Sequence, residues 1–170
     1  VPDGMVENTM ALRKRIVREF RRFRPEVVIT GDPQLLYTPR GGVNHPDHRA
    51  VGGAAIDAVF PASGQPNLFQ ELEEEGLYAF KVRKMYIVSW GQGETLVDVS
   101  GTLDLKLAAL QKHVSQVGHM EQLEEFMRKR SADLAAESDF EYGEKFRVLT
   151  IESDEKWAEL MEAHPERYGG

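Results

Sequence analysis

Residues 24–33, Arg24-Pro25-Glu26-Val27-Val28-Ile29-Thr30-Gly31-Asp32-Pro33, decide the fold class. Pro25 stops a preceding helix, and Val27–Thr30 form a short, continuous apolar run. Such a run is typical of a strand that is buried on both faces, as in parallel sheets covered by helices. A helix, a tight turn and a buried strand make the second half of a βαβ unit. We therefore predict an α/β fold with a mostly parallel sheet flanked by helices.

The helix before this strand is strongly basic. Asn8 or Thr9 can cap it, and its apolar residues recur at spacings of four, four and three, which places them on one face. These apolar residues are Leu12, Ile16, Phe20 and Phe23, and around them lie Arg13, Lys14, Arg15, Arg18, Arg21, Arg22 and Arg24. The pattern fits a nucleic-acid or anionic-membrane patch, or a solvated face whose long side chains cover the core edge. The net charge of −7 favours the solvated face.

The sequence after the strand predicts a ligand-binding loop and then a second helix. Residues 34–44 form a loop rich in Gly and Pro, and in open α/β sheets ligands bind at loops beyond the carboxyl ends of strands. Pro46 suits a first helical turn, so we predict a helix over residues 46–59. Further helices are predicted over residues 68–74, 103–115 and 120–136 and near Trp157, and strands over residues 82–90, 95–99 and 142–151. We expect a single domain over residues 1–170.

The composition excludes several classes of function. Of the 170 residues, 41% are hydrophobic and 29% are charged, which is ordinary for a globular protein. No apolar run approaches the roughly 20 residues needed to cross a bilayer, so we expect no membrane partner. The absence of cysteine leaves His, Asp, Glu and backbone oxygen for any metal site. The negative net charge argues against nucleic acid as a partner. The chain shows no signal peptide, so we expect a cytoplasmic protein.

The run His45-Pro46-Asp47-His48 lies where the loop becomes the second helix. Residues three apart are neighbours on a helix, so the side chains of His45 and His48 are expected to project to the same side. Asp47 lies between them and can orient an imidazole through its ring N–H. Paired histidines also occur as helix caps and surface residues, so the spacing alone leaves both interpretations open.

Other polar residues have structural explanations. His113 lies at the end of an amphipathic helix, where a cation complements the helix dipole. His119 and His164 lie in polar segments and are expected at the surface. Asp3 and Asp32 lie in turns, where Asp is favoured.

Several blocks of the sequence resemble the LmbE-like/PIG-L family of zinc-dependent de-N-acetylases. The run from Asn44 to Gly52 is similar to the second motif of that family, and the other blocks follow in the family's order. They are Pro2-Asp3-Gly4, Leu12-Arg13, residues 24–28, Asp98-Val99, residues 106–110, residues 113–116, and Glu144 with Phe146-Arg147. The resemblance covers about residues 1–150, and such an ordered set is more specific than the histidine pair alone.

The resemblance implies a Rossmann-like fold that binds one Zn²⁺ ion and removes an acetyl group from an N-acetylglucosamine-type sugar or a related small amide. By this resemblance His48 is a zinc ligand, and His45 stabilises the oxyanion or protonates the leaving amine. Asp47 would hold the ring of His45, and Asp3 would approach the sugar hydroxyls. Catalytic zinc with three protein ligands keeps one position open for water, which fits such a division of roles.

One part of the family pattern is absent from this sequence. The family takes two zinc ligands and its general base from a His-Pro-Asp-Asp motif, and no such motif occurs in the 170 residues. The opening Val1-Pro2-Asp3-Gly4 has no initiator Met and contains turn residues typical of an internal loop. We therefore expect the C-terminal portion of a longer deacetylase domain in preference to a degenerate member, and we expect weak zinc binding by this chain alone.

Two other functions remain to be weighed. A metal-free binding or assembly subunit could keep the same fold, and the residues upstream of Val1 would discriminate it from the hydrolase. Nucleic-acid binding through the basic helix is disfavoured by the net charge. The exact substrate depends on the shape of residues 33–44 and 61–79. The oligomeric state stays open, a homo-oligomer included.

Overall fold

The computed structural model describes residues 1–39 and 41–169. In chain order the elements are α1 Met10–Phe23, β1 Val27–Gly31, α2 Pro46–Val59, α3 Glu71–Glu74, β2 Lys84–Val88, β3 Thr95–Asp98, α4 Leu103–Gln111, α5 Val114–Val117, α6 Leu123–Ala135, β4 Gly143–Thr150, α7 Asp154–Ala163 and α8 Pro165–Tyr168. They form two compact units. The first unit holds residues 1–90 and 148–170, and the second holds residues 91–147.

The predicted helix–turn–strand at the start of the first unit is confirmed. Thr9 caps α1, because its side chain accepts a hydrogen bond from the backbone N–H of Leu12 at 3.2 Å. Arg24 ends the helix in the left-handed conformation, with φ of 55°. β1 then pairs in parallel with β2, in a register that joins Val27 to Lys84. The parallel pairing is as predicted, but burial on both faces is not, because Val28 is buried whereas Val27 and Ile29, on the other face, are 40% and 63% exposed.

The core of the first unit is apolar and rich in aromatic residues. One buried cluster lies around the strands and the C-terminal helices, and it contains Val28, Val59, Phe80, Val82, Met85, Trp157 and Tyr168. A second lies beneath α1 and α2 and contains Val17, Ala58, Ala62 and Leu72. The small residues of α2 let its backbone pack closely against its neighbours, as residues 54, 55 and 58, all Ala, are buried.

The basic surface of α1 is largely used inside the first unit. Arg13 pairs with Asp57 at 2.5 Å, and Lys14 and Arg18 pair with Glu71 and Glu75 respectively. Arg21 differs from the expected solvated face, because its side chain is buried. Its guanidinium donates to backbone carbonyls instead of meeting water, which is how a buried cation can be stabilised. Arg15 and Arg22 of the same helix are exposed, as expected for a solvated face.

The second unit combines helices with an antiparallel strand pair. β3 pairs with β4 in a register that joins Thr95 to Phe146 and Asp98 to Gly143. The α/β class is therefore confirmed, with a parallel pair formed by β1 and β2 and an antiparallel pair formed by β3 and β4. Apolar periodicity predicts strands well, but the direction in which a strand returns depends on contacts distant in sequence.

The helical boundaries in the second unit differ from those predicted. The helix expected over residues 103–115 ends at Gln111, and a separate short turn, α5, follows. The helix expected from residue 120 begins at Leu123. In the part of the chain that the structure describes, no helix is long and apolar enough to cross a membrane.

Candidate active site

The first turn of α2 carries the two histidines singled out from the sequence. His45 is the residue that caps α2, and its Nδ1 accepts a hydrogen bond from the backbone N–H of Asp47 at 3.3 Å. Pro46 occupies the first helical position, where a missing N–H costs no helical hydrogen bond. The predicted boundaries of this helix, residues 46–59, are confirmed at both ends.

A close contact between two glycines sets the position of this turn. A Cβ atom built on Gly52 would lie 2.6 Å from the carbonyl oxygen of Gly31, at the end of β1. Only a residue without a side chain allows α2 to approach the strand so closely. The contact places the start of α2 beside the carboxyl end of β1, where open α/β sheets bind ligands.

The carboxylate of Asp47 holds the N-terminal segment of the chain. Oδ2 accepts a hydrogen bond from the backbone N–H of Gly4, and Oδ1 accepts one from the backbone N–H of Val6, both at 2.9 Å. The hydrogen bond from Val6 is the main cause that lowers the pKa of Asp47, and that from Gly4 adds to it. The carboxylate is therefore stabilised as an anion.

This arrangement brings Asp3 to the ring of His45. Nε2 of His45 lies 3.5 Å from Oδ1 of Asp3, while its Nδ1 lies 4.0 Å from Oδ2 of Asp47. One ligand atom from each of the three residues lies within 4.8 Å of the others, so the group could hold a metal ion. Nitrogen and carboxylate oxygen donors without sulfur suit zinc and other divalent metals.

His48, which the family resemblance assigns to zinc, lies next to this group. Its ring centroid is 5.6 Å from that of His45, with the two rings tilted by 50°. The two histidines thus share one side of the turn, as their spacing predicts. The group of three possible ligands contains His45 in place of His48. The metal role of His48 and the catalytic roles of His45 and Asp47 stay predictions.

Asp32 has a more specific role than the turn assigned to it from the sequence. Its carboxylate accepts hydrogen bonds from the hydroxyl of Ser89 at 3.0 Å and from the backbone N–H of Gln34 at 2.8 Å. Its own N–H donates to the carbonyl of Val88 at 3.1 Å. Asp32 therefore joins the carboxyl ends of β1 and β2 and fixes the start of the loop that leads to His45. The turn signal of Asp-Pro predicted a bend, but the partner Ser89 is 57 residues away.

The three remaining histidines are exposed, which was predicted for His119 and His164, whereas His113 lies beyond the end of α4 and not in the last turn of a helix as expected. His113 precedes α5 without a side-chain cap, and it belongs to the second unit. His119 is also in the second unit, and His164 lies 3.7 Å from the carboxylate of Glu166.

The chain is similar to sugar deacetylases in sequence. No family model matches it. It is 33% identical over 114 residues to the diacetylchitobiose deacetylase of Thermococcus kodakarensis, which covers 67% of this chain and 40% of that protein. It is 30% identical over 133 residues to the 1D-myo-inositol 2-acetamido-2-deoxy-alpha-D-glucopyranoside deacetylase of Saccharomonospora viridis, covering 68% of this chain and 47% of that protein. The chain spans less than half the length of these two curated relatives.

Solved structures give the same result. The N,N'-diacetylchitobiose deacetylase of Pyrococcus horikoshii, in complex with an inhibitor, matches with a TM-score of 0.74 and 27% identity, over 88% of this chain and 55% of that one. A conserved protein of Thermus thermophilus matches with a TM-score of 0.68 and 22% identity, over 90% of this chain and 65% of that one. At that identity, the second match bears on the fold alone. The predicted fold class is confirmed.

Proposed function

The chain belongs to the LmbE-like/PIG-L de-N-acetylase family, and we propose that it is the C-terminal portion of a zinc-dependent hydrolase. The proposed reaction removes the acetyl group from an N-acetylglucosamine-type sugar or a related small amide. The observation that carries the proposal is the convergence of Asp3, His45 and Asp47 within 4.8 Å at the start of α2. An imidazole beside two carboxylates provides a proton donor and acceptors for substrate hydroxyls in one place, next to the ring of His48.

The residues of this turn suit zinc. His48 would supply one ligand from α2, and we propose that a His-Pro-Asp-Asp segment of the complete protein supplies the other two. His48 is exposed, and its ring nitrogens form no hydrogen bond or ion pair with the residues that the structure describes. Both oxygens of Asp47 already accept backbone hydrogen bonds, which makes it the poorer candidate for ligation. When bound, zinc would polarise the amide carbonyl and make water a better nucleophile near pH 7.

His45 is placed to handle a proton. Because Nδ1 accepts the hydrogen bond from the Asp47 backbone, the neutral ring carries its proton on Nε2. That atom points toward Asp3, on the open side of the turn. Nε2 can therefore stabilise the oxyanion or give a proton to the amine as it leaves, which are the roles of a general acid.

Asp3 is proposed to bind the sugar. Its side chain is 94% exposed, so its carboxylate is free to meet a ligand. A carboxylate can accept hydrogen bonds from two neighbouring hydroxyls, as a pyranose presents them. The relatives named for diacetylchitobiose and for the inositol glycoside each act on an acetamido sugar joined to a second ring. We extend that substrate class to this chain.

The test of this proposal is an acetate-release assay on the complete protein. The purified protein is treated with a chelator, and acetate release from N,N'-diacetylchitobiose is measured before and after zinc is restored. We expect activity to be lost on chelation and to return with zinc. Stoichiometric sugar binding without acetate release, with or without zinc, would support the metal-free binding subunit and overturn the hydrolase.

A further inference from the structure

The carboxylate of Asp47 binds two alternate backbone amides of one segment. Oδ2 accepts from Gly4 and Oδ1 from Val6, each at 2.9 Å, so both oxygens are used. The side chain of Asp47 is only 16% exposed. Hydrogen bonds to an ionised acceptor are stronger than those between neutral groups. The contact therefore fixes residues 4–6 on the first turn of α2, 41 to 43 positions away in the sequence.

The segment held in this way presents Asp3. The backbone N–H of Met5 donates to the carbonyl of Pro2 at 3.3 Å, closing a turn over residues 2–5. Gly4 has φ of +76°, the value that a type II turn requires at its third residue. Asp3 is the second residue of this turn, and its exposed side chain reaches the ring of His45 from a backbone that Asp47 holds in place. Its 3.5 Å distance from Nε2 of His45 thus depends on the hydrogen bonds to Gly4 and Val6.

We infer that Asp47 is a positioning residue for Asp3 and sets the affinity for the sugar, an inference that rests on the proposed deacetylase function. The Asp47 carboxylate could instead orient the ring of His45, but the backbone N–H of Asp47 already does so. The carboxylate is 4.0 Å from Nδ1, and that nitrogen accepts from the backbone N–H of Asp47. Substitution of the Asp47 side chain by Ala or Asn keeps this N–H. Ala therefore removes both hydrogen bonds to the segment and Asn at least one of them, while the backbone hydrogen bond that caps α2 remains.

Hydrogen exchange of the complete protein tests the structural half of the inference. In Asp47→Ala, the amides of a peptide covering residues 2–9 are expected to exchange about 10- to 100-fold faster than in the wild type, the factor for losing hydrogen bonds to a charged acceptor. Asp47→Asn keeps one carbonyl oxygen, so an intermediate effect is expected. Exchange that is unchanged in both variants would overturn the inference, whatever the protein's activity.

Asp104→Asn is the matched control. Asp104 is the second residue of α4, as Asp47 is of α2, but its carboxylate pairs with the side chain of Arg128 at 2.6 Å. The control removes a carboxylate from the same helical position without touching a backbone amide. It is expected to leave exchange of residues 2–9 at the wild-type rate.

Kinetics test the functional half. Asp47→Ala is expected to raise KM for the sugar amide by about 10-fold, with a much smaller effect on a small amide that lacks hydroxyls. In an Asp3→Ala background, Asp47→Ala should add no further rise in KM, because it acts through Asp3. A loss of kcat that is equal on both substrates and persists in that background would assign Asp47 to the ring of His45 instead. A wild type without deacetylase activity would contradict the proposed function. The exchange experiment would still show whether Asp47 holds the backbone amides of Gly4 and Val6.

Discussion

Nε2 of His45 lies 3.5 Å from Oδ1 of Asp3, although 42 positions separate the two residues. The other ring nitrogen, Nδ1, accepts a hydrogen bond from the backbone N–H of Asp47 at 3.3 Å. The imidazole is therefore set between a helix start and an exposed carboxylate, with its proton-bearing nitrogen on the open side. This orientation suits proton transfer better than metal binding through Nδ1, and it separates the proposed roles of His45 and His48.

His45→Ala should keep the metal and lose the chemistry. We expect zinc at the wild-type stoichiometry in the complete protein, with kcat lowered by about 10²–10⁴-fold, the usual contribution of a positioned acid–base group. Metal analysis and steady-state kinetics on the same preparation measure both quantities. Loss of zinc with an unchanged rate per bound metal would exchange the roles of the two histidines.

His48→Ala should lose both zinc and activity. A site with three protein ligands binds metal far more weakly when one is removed, and His48 is the ligand that α2 is proposed to supply. The zinc content of the purified variant is measured after dialysis, with His119→Ala, an exposed histidine of the second unit, as the control. Retention of one zinc per chain in His48→Ala would contradict the assignment.

The parts of the fold that local sequence signals determine were predicted well. The ends of α2 were correct because Pro46 favours a helix start and Pro61 cannot continue one. The break between α4 and α5 was missed, because no Gly or Pro marks the sequence around Lys112 and His113. The antiparallel pairing of β3 with β4 was not predicted, because apolar periodicity does not encode strand direction.

In the site, residue types were predicted and long-range partners were not. The sequence placed His45, Asp47 and His48 on one helical turn, and the spacing of three residues predicted that the two histidine side chains are neighbours. The binding of Asp47 to Gly4 and Val6 involves backbone amides, which carry no residue-specific signal. The burial of Arg21 was missed for a related reason, because its partners are backbone carbonyls and arginine is usually exposed.

Gly52→Ala should destabilise the protein, whereas Gly53→Ala should not. The added Cβ at Gly52 would lie 2.6 Å from the backbone oxygen of Gly31, so helix or strand must shift, at a cost of about 1–3 kcal/mol. At Gly53 the nearest atom is Nδ2 of Asn8 at 3.2 Å, a side-chain atom that can move, and Ala favours a helix by about 1 kcal/mol. Urea unfolding of the two variants gives the comparison, and equal stabilities would show that the approach of α2 to β1 is not tight.

Arg21→Leu should loosen the segment that follows α2. Arg21 is 1% exposed, and its guanidinium donates to the backbone carbonyls of Ala62, Ser63, Gln65, Leu68 and Leu77. Its loss leaves buried acceptors unpaired, so we expect a destabilisation of about 2–4 kcal/mol. In Arg21→Leu, the backbone amides of residues 62–77 should exchange faster than in the wild type, and by a larger factor than the amides of the rest of the protein.

Arg22→Leu is the control for that change. Arg22 is the neighbouring residue, its side chain is 71% exposed, and it pairs with Glu19 on the same helix at 2.6 Å. A surface change of this kind is expected to alter the free energy of unfolding by no more than about 0.5 kcal/mol. Similar losses in both variants would mean that the charge of α1, and not the buried hydrogen bonds, stabilises the segment.

Acid should weaken the contact between α1 and α3 through two ion pairs. Lys14 pairs with Glu71 and Arg18 with Glu75, and these side-chain hydrogen bonds lower the pKa of both glutamates. A lowered pKa in the folded state means that the stabilisation is fully present above the ordinary glutamate pKa, about 4.3. It is then lost as the pH falls through the lowered values, since protonation removes the charge.

We expect Glu75→Gln to unfold at a lower urea concentration near pH 7 and to approach the wild type as the pH falls below about 4. Glu74→Gln is the control, because Glu74 forms no ion pair with the residues that the structure describes; its curve should follow the wild type at every pH. A Glu75→Gln curve that stays parallel to the wild type through the acid range would show that the Arg18 pair contributes nothing to stability.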